Sequence, residues 1–479
     1  MVSLVISFLL LIVGYRVYGT LVERTFGPDS RKTPAVALED GVDYVPMRNW
    51  RAFLVELLNI AGTGPIFGAL MGACFGPVVF LWIVLGGILA GGVHDFMVGM
   101  ISERHEGKSI AELSGIYLGT VAKWVMRIFS IVLLVLTGTV FVTSPAGLLA
   151  QLTPWENDRL IWIVVILAYY ILATLLPIDK VIGKLYPVFG VVLILMAFAV
   201  LGGTFFGRYD IQELTLENLH PDGLPVWPFM FVTVACGAIS GFHATQAPMV
   251  SKCLTSEKAG RRVFYGAMLC ESMIALVWAA AGVAFYGTTG GLNEALKNLG
   301  QSGTVYEISH GLLSGVGGVL AIVGVVVCPI TSGDTAFRSA RLILAEMTHL
   351  DQKPIRNRLF LTLPMLAVAA VLTQLDFDVL WRYFSWSNQT LAMIALWTVT
   401  SYLVRRNSSP WASLVSALPA TMMSGVSVTY IMMAKEGFRL SQSVAYPVGA
   451  SFAALCFMFY LYARVRIRSQ RPVLRRSGS

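Results

Sequence analysis

The chain has 479 residues, of which 56% are hydrophobic and 13% are charged, and its mean hydropathy is +0.71. Soluble domains carry about 25% charged residues, so this composition excludes a soluble globular protein. The net charge of +8 does not indicate a nucleic-acid partner, because the basic residues lie between apolar runs. Those runs are long enough to cross a bilayer as helices, which takes about 20 residues. We predict an all-α polytopic membrane protein.

Taken in chain order, the apolar runs predict thirteen transmembrane helices. The first is interpreted as a retained helix, because it lacks the basic start and the small-residue cleavage site of a secretory signal. The thirteen lie near residues 3–21, 52–76, 77–101, 124–150, 160–177, 185–206, 226–250, 263–287, 309–330, 359–375, 380–404, 411–433 and 443–463.

The basic residues predict the orientation. If the N-terminus is outside the cell, 29 of the 35 Lys and Arg residues fall on the cytoplasmic side, as the positive-inside rule requires. The six outside are Arg159, Arg208, Lys297, Arg382, Lys435 and Arg439. This places the protein in the cytoplasmic membrane with its C-terminus inside, where the basic tail after Leu461 faces anionic lipid.

The second span is interrupted by Gly62, Thr63, Gly64 and Pro65. Glycine loosens a helix, and proline removes a backbone donor and clashes with the preceding turn. Backbone groups freed inside a membrane must face protein or a hydrated cavity, so a broken helix indicates a binding site. The alternative is a proline kink that only shapes packing.

The seventh span is interrupted in the same way at Ser240, Gly241, Phe242 and His243. It lies five spans later and runs in the opposite direction, which favours a five-plus-five inverted repeat of the LeuT-like kind. The predicted core is then 52–404, with repeats at about 52–206 and 226–404. Residues 1–51 form an N-terminal helix and a cytoplasmic segment, and 405–479 form two peripheral helices and the tail. The alternative is a coincidence between two glycine-rich packing helices.

Ionisable residues inside spans are costly and are functional candidates. For ion coupling we select Glu56, Asp95 and Glu271, together with Thr331, Ser332 and Asp334 at the cytoplasmic end of predicted span nine. Each has a plainer interpretation: Asp334 and Arg338 could form an interfacial i,i+4 ion pair, Asp95 could hydrogen-bond a neighbouring helix, and His243 could be a satisfied core histidine. Thr331 and Ser332 are the candidates if the coupling ion is Na⁺.

No Lys or Arg lies at mid-depth in any predicted span, so a substrate carboxylate would bind at the amino ends of half-helices. The predicted substrate site comprises Gly62, Thr63, Gly64, Pro65, Ser240, Gly241, His243, Asn388 and Gln389. The six cysteines show no metal-binding or redox spacing. We predict no cofactor and no metal centre, and leave the coupling ion, H⁺ or Na⁺, and the oligomeric state open.

Several motifs together resemble the carbon starvation protein A family of peptide transporters, which includes proton-coupled pyruvate importers. They extend in order from residue 40 to about 395: DGVDYVP at 40–46, IAGTGP at 60–65, AGGVHDFMV at 90–98, ACGAISGFHA at 235–244, MLCES at 268–272, Asp334 with 338–341, and SNQTLA at 387–392. The resemblance implies a transporter of the inverted-repeat kind that acts in carbon starvation.

The sequence also departs from that family. Long members extend well past this length. Where members commonly have paired histidines, this chain has Val55 and Glu56, and where they have Gln it has His94. Because these changes affect candidate ionisable sites, the substrate and the coupling ion do not follow from the resemblance.

The predicted function is import of a small, pyruvate-like carboxylate or a short peptide by cation symport, and the protein is not predicted to be an enzyme. One alternative is a membrane subunit of a redox or proton-translocating complex, which should carry buried lysines or cofactor ligands. Another is a membrane-embedded nutrient sensor, although the chain shows no output domain after its last span.

Overall fold

The computed structural model describes residues 1–41, 44–175, 178–406 and 411–469. Val42 and Asp43 of the first motif and the tail from 470 lie outside the described residues, as do the side chains of Lys180 and Lys184. Among the described residues there is no β-strand, only one isolated bridge between Met47 and Leu254. The all-α prediction is confirmed.

Nineteen α-helices are described. They are α1 (Val2–Arg16), α2 (Tyr18–Phe26), α3 (Pro34–Ala37), α4 (Asn49–Ala61), α5 (Ala69–Ala73), α6 (Val78–Gly86), α7 (Gly92–Arg104), α8 (Ile110–Leu118), α9 (Thr120–Ala150), α10 (Asp158–Leu175), α11 (Ile178–Phe206), α12 (Phe231–Thr233), α13 (Gly241–Ser251), α14 (Gly266–Tyr286), α15 (Thr289–Thr348), α16 (Ile355–Leu372), α17 (Phe377–Arg406), α18 (Leu414–Met433) and α19 (Gln442–Ser469). Short π-helical turns cover Gly64–Gly68, Gly87–Gly91, Val226–Met230 and Arg261–Tyr265.

Within the described part of the chain, ten helical segments are long and apolar enough to cross a membrane, and a bent pair makes eleven. The pair is α4 with Gly64–Ala73, which meet at 57°. Two predicted spans are not among the eleven. The span near 226–250 is divided into short pieces, and the span near 380–404, within α17, carries a run of polar side chains. The count of thirteen therefore stays a prediction.

Burial separates central from lipid-facing helices. The most apolar windows of Val78–Arg104, Glu257–Tyr286 and Ala321–Thr348 are each 83% buried, whereas those of Val2–Phe26 and Gln442–Ile467 are 28% and 17% buried. In a bilayer, a helix can leave apolar side chains exposed because lipid replaces water around them. These three central segments carry all of the predicted ion-coupling residues except Glu56.

The helix that contains predicted span nine is longer than that span. The sequence predicts the span at 309–330, and α15 runs from Thr289 to Thr348. Thr331, Ser332 and Asp334 lie within α15 and are buried in the protein. Where the span ends in the membrane stays a prediction.

Candidate functional site at the two helix breaks

The first break follows α4. Gly62 has φ +43° and ψ −143°, a conformation that L side chains rarely adopt, and a β-carbon there would clash with the ring of Phe141. The chain resumes as the π-helical turn Gly64–Gly68, with Pro65 in its first turn, where the missing N–H costs nothing. Gly62 to Pro65 therefore break the helix as the sequence predicted.

The second break lies between α12 and α13. Gly237 has φ +92°, and α13 begins again at Gly241. Asn388 of α17 supports the restart: its Oδ1 accepts from the amide of Phe242 at 2.6 Å and from Ser240 Oγ at 3.1 Å. A β-carbon at Gly241 would clash with the backbone of α17, so glycine is required for this close approach.

Asn388 and Gln389 brace both sides of this break. While Asn388 caps α13, Nε2 of Gln389 donates to the carbonyl of Phe231 in α12 at 2.9 Å. The predicted carboxylate site at the amino end of α13 is therefore already occupied at the Phe242 amide, because Asn388 takes that donor. Both residues position the break, and their part in substrate binding stays a prediction.

The two breaks lie against each other. A β-carbon at Gly64 would overlap the side chain of Cys236, and one at Gly237 would lie 3.8 Å from Cα of Pro65. Residues that are about 170 positions apart in the chain are thus in contact where both helices are interrupted. This is the arrangement in which discontinuous helices form a binding site.

A chain of buried acids and histidines runs beside the breaks. Asp95 of α7 contacts two histidines: its Oδ1 lies 2.7 Å from Nδ1 of His94, and its Oδ2 lies 2.8 Å from Nδ1 of His243. On its other side, Nε2 of His243 lies 3.4 Å from Oε2 of Glu271 in α14. All four side chains are fully buried. We call His94, Asp95, His243 and Glu271 the Asp95 chain.

Several polar atoms around the Asp95 chain have no hydrogen-bond partner among the described residues. They include both carboxylate oxygens of Glu56, Oγ1 of Thr63 and Nε2 of His94, all fully buried. The 3.4 Å approach of His243 to Glu271 also lacks hydrogen-bond geometry. A buried polar group without a partner costs about 1–3 kcal/mol, so each of these atoms is a candidate for a functional role.

The same region could hold a cation. Cys236, His243 and Glu271 each present one ligand atom, and these atoms lie within 4.8 Å of one another. Oδ2 of Asp95 lies 2.8 Å from Nδ1 of His243, and a carboxylate in such a position orients a histidine that binds a metal through its other nitrogen. Cys236 was not among the predicted site residues, because the cysteine spacing shows no metal-binding pattern; its position inside the second break was the signal that could have identified it.

Ser332 joins α15 to the first break. Its hydroxyl lies 2.7 Å from the carbonyl of Leu58 in α4 and 3.0 Å from that of Cys328. The hydroxyl of Thr331, in contrast, lies 2.8 Å from the carbonyl of Cys328 in its own helix. Of the two residues proposed for Na⁺, Ser332 is the one that contacts the interrupted helix.

Asp334 lies apart from the Asp95 chain. It is 3.7 Å from Arg338, and the hydroxyl of Tyr186 donates to it at 3.2 Å. The i,i+4 ion pair considered from the sequence is present, and both of its side chains are buried in the protein. Arg338 and Arg341 are both buried in α15, beyond the end of predicted span 309–330.

A second set of charged residues was not predicted from the sequence; it lies at the end of α7, in the short 3₁₀ helix Glu257–Ala259 and in the loop after α2. Arg104 makes a two-pronged ion pair with Glu257, at 2.8 and 2.9 Å, and donates to the carbonyl of Gly27 at 2.9 Å. The amide of Asp29 donates to Glu257 at 2.8 Å, and Asp29 pairs with Arg31 at 2.6 Å. We call these four side chains, Asp29, Arg31, Arg104 and Glu257, the Arg104 network.

Comparisons with known proteins agree with the fold and with the motifs. An uncharacterized membrane protein of Haemophilus influenzae is 41% identical over 60% of this chain and 92% of its own length. The peptide transporter CstA of Campylobacter jejuni is 26% identical, over 92% of this chain and 81% of that protein. The pyruvate/proton symporter BtsT of Escherichia coli is 28% identical, over 56% of this chain and 46% of that protein.

Among solved structures, a manganese transporter of Eremococcus coleocola matches with a TM-score of 0.58 and 14% identity, over 90% of this chain and 99% of that one. At this identity the likeness concerns the fold alone. The relatives' names support a role in membrane transport. The family model for carbon starvation protein CstA matches residues 1–218 and 156–307, more than half of the sequence. The chain belongs to the carbon starvation protein CstA family.

Proposed function

We propose that this protein is a secondary active transporter that imports a small, pyruvate-like carboxylate or a short peptide across the cytoplasmic membrane by symport with H⁺. The observation that carries the proposal is the position of the Asp95 chain beside the contact between the two helix breaks. One set of buried titratable groups thus adjoins the place where discontinuous helices bind substrates in transporters.

The choice of H⁺ follows from which of the two ring nitrogens of His243 can donate a hydrogen bond. Its Nδ1 faces Asp95, and when Nδ1 carries the proton, Nε2 has only a lone pair to present to Glu271. Two acceptors that face each other at 3.4 Å repel unless one carries a proton or a cation lies between them. Gain and loss of a proton at His243 and Glu271 would therefore change the forces beside the breaks.

Na⁺ is the second candidate for the coupling ion, and it rests on Ser332. A carbonyl and a hydroxyl beside an interrupted helix are typical sodium ligands in transporters. In this structure, however, Ser332 Oγ is within hydrogen-bond distance of the Leu58 and Cys328 carbonyls. The titratable Asp95 chain has the larger number of unsatisfied atoms, so we favour H⁺.

The substrate class is supported by the names of the relatives, a peptide transporter and a pyruvate/proton symporter. The five-plus-five inverted repeat and the orientation with the N-terminus outside are part of the same proposal. They are supported by two helix breaks five predicted spans apart that meet in space. The basic-residue pattern supports the orientation.

The experiment is uptake of radiolabelled pyruvate, other short acids and dipeptides into proteoliposomes, with an inward H⁺ or Na⁺ gradient imposed separately. We expect uptake of at least one class under the H⁺ gradient. Glu271→Gln should reduce it roughly 100-fold, the size of effect that loss of a positioned proton-transfer group has in enzymes.

The matched control is Glu294→Gln, which makes the same change at an exposed acid outside the Asp95 chain. Its uptake should equal that of the unmodified protein. Binding of substrate without uptake under either gradient would contradict the transporter proposal. Uptake driven by Na⁺ and unaffected by Glu271→Gln would contradict the assignment of the coupling ion.

A further inference from the structure

A cleft with two chemically different halves lies between α1, α4 and α14. The polar half has a volume of about 190 Å³ and is lined by basic and amide side chains, Asn49, Lys258, Arg261 and Arg262 among them. The apolar half has a volume of about 300 Å³ and is lined by Phe53, Leu269, Cys270 and Met273, among others. Tyr15 and Arg262 line both halves, so the two are continuous.

The positive charge of this cleft is only partly compensated. Arg261 lies 3.2 Å from Glu23 and 5.2 Å from the ring centre of Tyr15. Arg16, Lys258 and Arg262 are exposed and form no ion pair with any described acid. Three cations at one end of an apolar groove provide strong charge complementarity for an anion with an apolar portion.

The groove lies at a depth where a lipid can reach it. Its apolar half is formed by the membrane-spanning segments Val2–Phe26 and Glu257–Tyr286, together with α4. Its polar half lies where Glu257–Tyr286 begins, on the side that the positive-inside rule assigns to the cytoplasm. Basic pockets between helices on this side bind the headgroups of anionic lipids.

We propose that this cleft binds an anionic glycerophospholipid. The phosphate lies at Arg16 and Arg262, and an acyl chain lies along Phe53, Leu269 and Met273. Phe53 belongs to α4, the helix that ends at the first break, so the bound lipid contacts the interrupted helix from the membrane side. This site is separate from the basic tail, and it does not depend on which substrate is transported.

The first test measures binding of phosphatidylglycerol and of phosphatidylcholine to the purified full chain by native mass spectrometry. We expect phosphatidylglycerol to bind more tightly. The double variant Arg16→Gln, Arg262→Gln should weaken its binding roughly 30-fold, since each basic residue near an anionic surface contributes about 1 kcal/mol. The control is Lys353→Gln with Arg356→Gln, two exposed basic residues on the same predicted side. An equal loss in the control would show general surface attraction and would overturn the proposal.

The second test uses Cys270, a partly exposed thiol in the apolar half of the cleft. Phosphatidylglycerol should slow its alkylation by a membrane-permeant maleimide, compared with phosphatidylcholine. Cys456 of α19 is also partly exposed and should react equally in both lipids. The protection of Cys270 should disappear in the Arg16→Gln, Arg262→Gln variant. Equal alkylation of Cys270 in the two lipids would overturn the proposed acyl-chain position.

Discussion

The Asp95 chain is fully buried, whereas the Arg104 network is partly exposed at Asp29 and Arg31, and the two differ in how completely their buried carboxylates are paired. In the Arg104 network, the two carboxylate oxygens of Glu257 both accept from Arg104, and the loop after α2 supplies further partners. Beside the Asp95 chain, both oxygens of Glu56 and one nitrogen of His94 have no hydrogen-bond partner among the described residues.

This difference distinguishes ion pairs that stabilise the fold from titratable groups that can gain or lose a proton. A fully paired Arg–carboxylate fork has one favourable arrangement and stabilises it. Burying acids and histidines with unsatisfied atoms costs free energy in any fixed protonation state. Binding of a proton or a cation lowers this cost. The Arg104 network is therefore expected to affect stability, and the Asp95 chain is expected to affect transport.

The largest expected effect is on stability. Arg104→Gln leaves Glu257 buried without its main partner, and removing one member of a buried pair costs about 3–5 kcal/mol. The apparent melting temperature in detergent should fall by several degrees, while uptake per folded molecule should stay near its normal value. Arg24→Gln, at an exposed position on α2, serves as the control. If the Arg104→Gln protein had normal stability and impaired uptake, the Arg104 network would have to be assigned to transport rather than to stability.

A smaller effect, on coupling, is expected from Glu56→Gln. The amide of glutamine cannot bind or release a proton as the carboxylate does, so coupling should be impaired. The substitution also removes an unpaired buried acid, so the stability of the protein should not decrease. We expect roughly tenfold lower H⁺-driven uptake, which corresponds to about 1.4 kcal/mol, and a weaker dependence of uptake on pH. Unchanged pH dependence would assign Glu56 to structure instead. The Glu294→Gln protein again provides the comparison.

The smallest effect is expected at Glu112 on α8, outside the membrane-spanning segments. Burial raises its pKa, but ion pairs with Lys123 at 2.8 Å and Arg127 at 2.6 Å outweigh this and lower the pKa below its usual 4.5. A lowered pKa in the folded state stabilises at pH values above 4.5, and the contribution is lost as the pH falls through the folded-state pKa.

Glu112→Gln should therefore lower the free energy of unfolding by about 1 kcal/mol at pH 7, as partly exposed pairs do. The difference from the unmodified protein should shrink as the pH falls below 4.5. Thermal unfolding measured across that range tests the sign. Glu106→Gln, at an exposed position nearby, should show no such trend. A difference that grows on acidification would contradict the ion-pair explanation.

The sequence was sufficient to place the first break, because Gly62 and Pro65 disfavour a continuous helix inside a membrane. It placed the second break a few residues too late: the chain is interrupted at 234–240, and Gly241, Phe242 and His243 already belong to α13. It also identified Glu56, Asp95, His243 and Glu271 as candidates, because each is an ionisable residue in an apolar run. Their assembly was not predictable in the same way. That Asp95 joins His243 to His94 depends on how α7 packs against α13, which no local pattern specifies.

The contacts that the sequence did not show have a common physical origin. Thr331 to Arg338 were placed at the end of span nine because they are polar, yet Tyr186, Leu58 and the backbone of α10 satisfy several of these groups inside the protein. A hydropathy profile depends on local sequence only, so it does not show a hydrogen-bond partner that is distant in the sequence. For the same reason the contact of Asn388 with the amino end of α13 could not be predicted. Cys236 was overlooked because cysteine is usually a small apolar residue in a core.

The close packing of Gly64 against Cys236 has a consequence for the timing of the transport cycle. The two breaks can approach this closely only because residue 64 carries a hydrogen atom in place of a methyl group. Any molecule that passes between them must first separate these backbones and then allow them to close again. The opening and closing of this contact would set an upper limit on turnover that no improvement in substrate affinity could raise.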